Sequence, residues 1–258
     1  MVFHTISEVD NFIHSLVYLG QGSQGVCYRD KDFKFVYKFY HSYFDGDFLD
    51  GYEKETILQF RDIVSATFVF PKDVIMLEHQ VIGDVTFYKR AKNLCQFNPL
   101  DVNLNHFIKL IRLAIKDIDT LSKRGIQAYD MMYNILMGYR IYIIDTLEYS
   151  MGHKSYEELL RSNLYGFHLE VMYFLVDGLF LDVVYSHSKL KDMYQSKGKD
   201  GSIVDFIVEF KNHLEKLLGK DIVYLREAKI LRDNSLDEEQ LKYERDIMVL
   251  ERLLNHKG

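Results

Sequence analysis

Short apolar runs rich in Val, Tyr and Phe, bounded by glycine or charge, fill three stretches near the start of the chain: HSLVYLG (14–20), GVCYRD (25–30) and FKFVYKFY (33–40). Such runs predict strands, with the charged RDKD between the last two as a turn. GDFLDGYEKETILQFRDIV (46–64) spaces its apolar residues as a helix does, and VIMLEHQVIGDVTFYKR (74–90) predicts two strands about a turn at Gly83-Asp84. The first ninety residues thus read as sheet with one helix.

From about residue 103 the pattern changes to that of helices. NHFIKLIRLAIKDIDTLSKRG (105–125) puts Phe107, Leu110, Ile111, Ala114, Ile115, Ile118 and Leu121 on one face, and Gly125 follows as a stop. YDMMYNILMGYRIYIIDT (129–146) holds two short apolar runs about the turn Met137-Gly138-Tyr139. SIVDFIVEFKNHLEKLLG (202–219) opens on the capping pair Ser202/Asp205 and ends at Gly219. SLDEEQLKYERDIMVLERLL (235–254) opens on the capping box Ser235/Glu238. The expectation is an α+β chain forming one domain of two lobes, strand-rich over 1–90 and mostly helical over 91–258.

Composition narrows the function classes. The 258 residues carry a formal net charge of −6, which argues against nucleic acid as partner. No apolar run reaches membrane-spanning length, and the first twenty residues contain Glu8 and Asp10 without the basic start of a secretory signal. Two cysteines, Cys27 and Cys95, make no disulfide framework and fit a reducing cytoplasm. The ten histidines show no H-x-x-x-H spacing.

Chemistry concentrates in a few places. Gly20, Gly22 and Gly25 have the spacing G-x-G-x-x-G, which lets backbone amides close over phosphates but also serves dinucleotide folds and plain hairpins. A strand, VCYRD, follows them where a dinucleotide fold needs a helix. Lys38, on the strand after the glycine hairpin, points either at solvent or under the glycine loop; its run Val36-Tyr37-Lys38-Phe39-Tyr40 is too apolar for an edge facing water, which favours the loop. Glu53 and Glu55 are its candidate partners, Glu53 sharing a face with Ile57, Phe60 and Val64. Asp130 and Asn134 precede the first apolar run of 129–146 and Asp145 ends the second, a polar set suited to metal binding and base chemistry around a phosphate.

In kind and order these residues resemble a protein-kinase-like domain, over roughly residues 15–150 with a helical completion beyond. The likeness extends to small divergent bacterial kinase-like proteins carrying D…NIL…IDT. It implies a bilobal fold, with an antiparallel sheet and one helix in the first lobe. It also implies ATP and Mg²⁺ as cofactors, and transfer of the γ-phosphate to a hydroxyl of a protein or small molecule. By the same resemblance the amides of the loop Gly20-x-Gly22-x-x-Gly25 cover the phosphates, Lys38 touches the α- and β-phosphates, and Glu53 or Glu55 holds Lys38. Asp145 and Asn134 bind Mg²⁺, and Asp130 accepts the hydroxyl proton. Val26, Val36 and Leu136 sandwich adenine, whose edge is read by main chain at Arg90 and Ala91.

The chain also departs from that pattern. Ala128 and Tyr129 stand where many kinases carry His and Arg, and the interval from Asp130 to Asn134 is one residue short. Met132 replaces a common basic residue, Thr146-Leu147 follows Asp145 in place of Phe-Gly, and no A-P-E motif follows. A nucleotide-binding pseudokinase or interaction module, and a small-molecule kinase of the aminoglycoside or choline type, are the alternative readings.

Overall fold

The apolar runs of the first ninety residues form a six-stranded mixed sheet. The structure is a computed structural model, and it describes residues 1–46, 53–177, 179–197 and 202–231. The chain falls into two compact units, Met1–Arg90 with Ile143–Glu148, and Ala91–Tyr142 with the described residues from Tyr149 onward.

In the first unit, β1 (Val2–Phe3), α1 (Ile6–Ser15), β2 (Val17–Gln21), β3 (Gly25–Arg29) and β4 (Phe35–Tyr40) precede two short helices, α2 (His41–Asp45) and α3 (Lys54–Leu58). The hairpin of β5 (Asp73–Leu77) and β6 (Gln80–Phe87) follows. Strand order is β1-β5-β6-β4-β3-β2, antiparallel throughout except that β1 runs parallel to β5. The sheet is therefore mixed rather than purely antiparallel, and this unit has more than one helix. The unforeseen α1 is started by a reciprocal capping box in which Thr5 and Glu8 satisfy each other's backbone amides. It lays Val9, Phe12 and Ile13 on one face of the sheet, against Tyr37, Phe39, Ile75 and Val85. Each such side chain taken from water contributes about 1.5–3 kcal/mol. The opposite face packs Tyr40 and Val74 against Ile57 of α3 and against Leu147, from the segment that returns to this unit.

Two sequence-based expectations change here. The helix of 46–64 is helical over Lys54–Leu58 only, with 47–52 outside the described residues. The turn foreseen at Gly83-Asp84 lies instead at Glu78-His79, where Glu78 takes φ 54°, and Gly83 and Asp84 stand in mid-strand. The reason is steric: a Cβ on Gly83 would lie 2.2 Å from the Lys38 carbonyl oxygen, so glycine allows the close approach of β6 to β4.

The second unit holds β7 (Lys92–Asn93), α4 (Leu104–Lys123), β8 (Ile126–Gln127), β9 (Ile135–Met137), β10 (Ile141–Ile143) and β11 (Ser150–Met151). The helices α5 (Tyr156–Val176), α6 (Leu181–Tyr185), α7 (Ser188–Ser196) and α8 (Ile203–Leu218) follow. β10 runs across the boundary, its last residue, Ile143, belonging to the first unit. The helix foreseen over 105–125 appears as α4, with Gly125 at φ 74°, and that over 202–219 as α8, capped by Ser202 and closed by left-handed Gly219. The proposed last helix, at 235–254, lies outside the described residues. α5 was not foreseen, though Ser155 and Glu158 form its capping box. It is apolar on nearly every side and packs against α4 and α8, the pattern of a core helix.

This placement carries His168 into the core with 2% exposure, and neither ring nitrogen has a hydrogen-bond partner among the described residues. Burial pushes the imidazole down from 6.5 to about 4, so the unfolded chain takes up the proton first as pH falls. Stability that is whole above pH 6.5 should therefore be lost as the pH falls toward 4, by roughly 3 kcal/mol in the limit. Urea unfolding across that window should show His168→Phe gaining stability on the wild type as the pH falls; a difference between the two that stays constant with pH would refute it.

Candidate functional site

A lysine amine flanked by apolar residues on an inner strand needs anions or acceptors nearby, and the first unit supplies them from three parts of the sequence. Lys38 Nζ donates to Asp145 Oδ1 at 2.6 Å and to Gln24 Oε1 at 2.7 Å. The pair is partly withdrawn from water, with side-chain exposures of 13% for Lys38 and 25% for Asp145. Gln24 lies in the glycine hairpin, and its amide nitrogen donates to Glu148 Oε1 at 3.2 Å. One glutamine thus ties the hairpin to Lys38 and to the returning segment.

That segment is pinned independently of the ion pair. Ile143 N–H donates to the Thr67 carbonyl, Val69 N–H donates to the Ile143 carbonyl, and the Thr146 hydroxyl donates to the Val69 carbonyl. Leu147 is buried beside Tyr40. Asp145 itself has φ 58°, a left-handed conformation that costs an L residue about 1–2 kcal/mol. Such strain persists where surrounding bonds over-determine the backbone, as they do here.

The glycines divide by role. The hairpin is closed by Gly22 N–H donating to the Gly25 carbonyl at 2.9 Å. A Cβ on Gly25 would lie 2.2 Å from the Phe39 carbonyl oxygen, whereas Gly20 and Gly22 have nothing within 4 Å of theirs. Gly25 therefore serves strand packing, and the backbone at Gly20 and Gly22 is open to approach.

Side-chain alternation sorts the remaining candidates of this unit. Cys27 and Asp84 stand opposite Lys38 on the two neighbouring strands and share its face. Val36 shares that face as well, two residues along β4. Val26 stands opposite Phe39 and belongs to the face covered by α1, so Cys27, not Val26, is the neighbour of Lys38 on β3. Burial pushes the Cys27 thiol up to about 11, which makes it an inert protonated group. Glu53 and Glu55 are exposed, Glu53 as the residue preceding α3, and Lys38 is bonded to Asp145 and Gln24 instead. The foreseen lysine–glutamate pair is not formed.

Asp84 was missed because Gly-Asp reads as a turn, and Gln24 because a glutamine in a loop carries no signal. Asp84 is 3% exposed and accepts a hydrogen bond from the Tyr40 hydroxyl at 3.1 Å. Burial raises its carboxyl to about 6, against the opposing pull of Lys38.

The second unit carries the other candidates. Asp130 is exposed with φ 47°, and the Asn134 side-chain amide donates to the Asp130 carbonyl at 2.8 Å, closing the loop before β9. Leu136 stands on β9 opposite Asn93. Upstream, buried Asn163 of α5 accepts from Ala128 N–H and donates to the Ile126 carbonyl and the Ser122 hydroxyl, fixing the chain that leads into Asp130. The boundary between units falls between Arg90 and Ala91.

Comparison with known proteins finds no matching family model and no matching curated protein.

Two outcomes follow from this geometry. Gly25→Ala should destabilise the protein by about 3 kcal/mol or more, whereas Gly20→Ala and Gly22→Ala should stay within about 1 kcal/mol; chemical denaturation measures both. For Asp84, a folded-state pKa of about 6 against 3.8 means the folded protein binds the proton more tightly. Its ionisation therefore removes stability as pH rises through about 6. In a His168→Phe background the melting temperature should rise from about pH 7 to pH 5, and adding Asp84→Asn should flatten that rise. A rise of unchanged size would contradict the burial of an ionisable Asp84.

Proposed function

We propose that the chain is an ATP- and Mg²⁺-dependent phosphotransferase of bilobal, protein-kinase-like architecture, acting on a hydroxyl, foremost that of a protein. The observation that carries the reading is the ion pair of Lys38 with Asp145 beneath the glycine hairpin. It joins residues 107 apart in sequence, in the order that phosphate-binding lysine and metal-binding aspartate take in that fold. The open backbone at Gly20 and Gly22 supports it further, as does left-handed strain at both Asp130 and Asp145.

In this reading the amides of the glycine hairpin and the ammonium of Lys38 take the negative charge of the ATP phosphates. On the first unit Val36 and Cys27 contribute apolar surface for adenine, and main chain at Arg90 meets its polar edge. Asp145 is an oxygen donor of the hard type that Mg²⁺ prefers, and one or two protein oxygens suffice because phosphates and water complete its shell. Bound there, Mg²⁺ supplies charge that offsets the negative charge of the transferring phosphoryl group. Asp130 takes the proton of the acceptor hydroxyl, in a loop kept in shape by the Asn134 amide. The His and Arg usual before this aspartate are Ala128 and Tyr129, and Asn163 secures the same stretch from α5. A chain with only two cysteines accords with a cytoplasmic setting, and no described helix is long and apolar enough to cross a membrane.

Thermal unfolding with ATP tests the reading. At about a hundred times its dissociation constant ATP should add about 2.7 kcal/mol, a rise of roughly 5–10 °C for a chain of this size. The rise should require Mg²⁺ and vanish in Asp145→Asn. A rise indifferent to Mg²⁺ would favour a nucleotide-binding module without transfer, and a folded protein with no rise would refute nucleotide binding.

A further inference from the structure

Asp84 has no place in the chemistry above, yet its position is unusual. A carboxylate with 3% exposure in mid-strand is costly unless charge or hydrogen bonds compensate it. Its hydrogen-bond donor is a neutral phenol, Tyr40. Among the described residues the cation acting on it is Lys38, directly opposite on β4. Gly83 brings the two strands to that close approach, since any Cβ there would collide with the Lys38 carbonyl. The β4–β6 pairing is thus shaped at the point where a short acidic side chain meets the lysine.

Lys38 needs such a neighbour if Asp145 is to bind metal. Its present hydrogen-bond partners are Asp145 and the neutral Gln24, while Glu53 and Glu55 are exposed. A carboxylate whose charge is committed to Mg²⁺ no longer holds the ammonium with the same strength. We propose that Asp84 is the standing counter-charge of Lys38, a positioning residue that keeps the ammonium on its face of the sheet when Asp145 is engaged with metal. This rests on the phosphotransfer reading and assigns to a neighbouring strand the work that resemblance gave to a helix glutamate.

A double-mutant cycle tests it, with and without nucleotide. Asp84→Asn is isosteric, keeps an acceptor for Tyr40 and should not lower the melting temperature of the ligand-free protein. Lys38→Met leaves buried charge uncompensated and should lower it by roughly 5 °C or more. Adding Asp84→Asn to Lys38→Met should restore about half of that loss or more. With nucleotide, Asp84→Asn should weaken Mg²⁺–ATP about tenfold and leave adenosine, which has no phosphates, unchanged. Additive melting shifts, or equal weakening of ATP and adenosine, would overturn the inference. Wild-type protein that binds no ATP would overturn the phosphotransfer reading and this role with it, whereas ATP binding beside an additive cycle removes Asp84's role alone.

Discussion

One ammonium group organises the first unit. Lys38 sits where apolar neighbours withhold most of its water, and an amine so placed must be met by acceptors and opposite charge. That requirement accounts for several features at once. The segment Ile143–Glu148 returns to the sheet and brings Asp145 within hydrogen-bonding distance. Gln24 bends the hairpin down to the amine, and a carboxylate is tolerated in the middle of β6. The two faces of the sheet divide accordingly. One is sealed with aromatic and branched side chains under α1, and the other mixes apolar packing with these charges.

Much of the architecture was legible because local signals agreed with tertiary demand. The short apolar runs of 14–40 became β2, β3 and β4, and the helical stripe of 105–125 became α4 with Gly125 as its stop. Where signals pointed two ways, tertiary packing decided. Gly83-Asp84 has turn chemistry, but the close approach of backbone to β4 put it inside a strand, and left-handed Glu78 made the turn instead. Thr5/Glu8 and Ser155/Glu158 are written plainly as capping boxes, so α1 and α5 had signals that could have been found.

The candidate site was legible in part, for a physical reason. Lys38 stood out from its apolar flanks, and Asp145 from its place at the end of a hydrophobic run. Their pairing depends on a contact across 107 residues that no local pattern encodes. Strand parity, which decides that Cys27 and not Val26 faces the lysine, depends on register with β4. Asp84 and Gln24 acquire meaning only from their cross-strand and loop neighbours. The face that joins Glu53 to Ile57, Phe60 and Val64 needs a helix running past Leu58, where α3 ends.

The returning segment also sets an order of assembly. Because Ile143–Glu148 belongs to the first unit, that unit is discontinuous in sequence, with fifty-two residues of the other unit, Ala91–Tyr142, between its parts. On the ribosome the sheet strands emerge first, yet Lys38 has no Asp145 to meet until the chain has been made well past residue 145. Through that interval the face carrying Lys38 and Asp84 lacks Leu147 as part of its cover, and the Thr67 and Val69 backbone lacks its partners at Ile143. The nascent first unit is thus a sheet waiting for its last piece, completed only after synthesis has passed through β10.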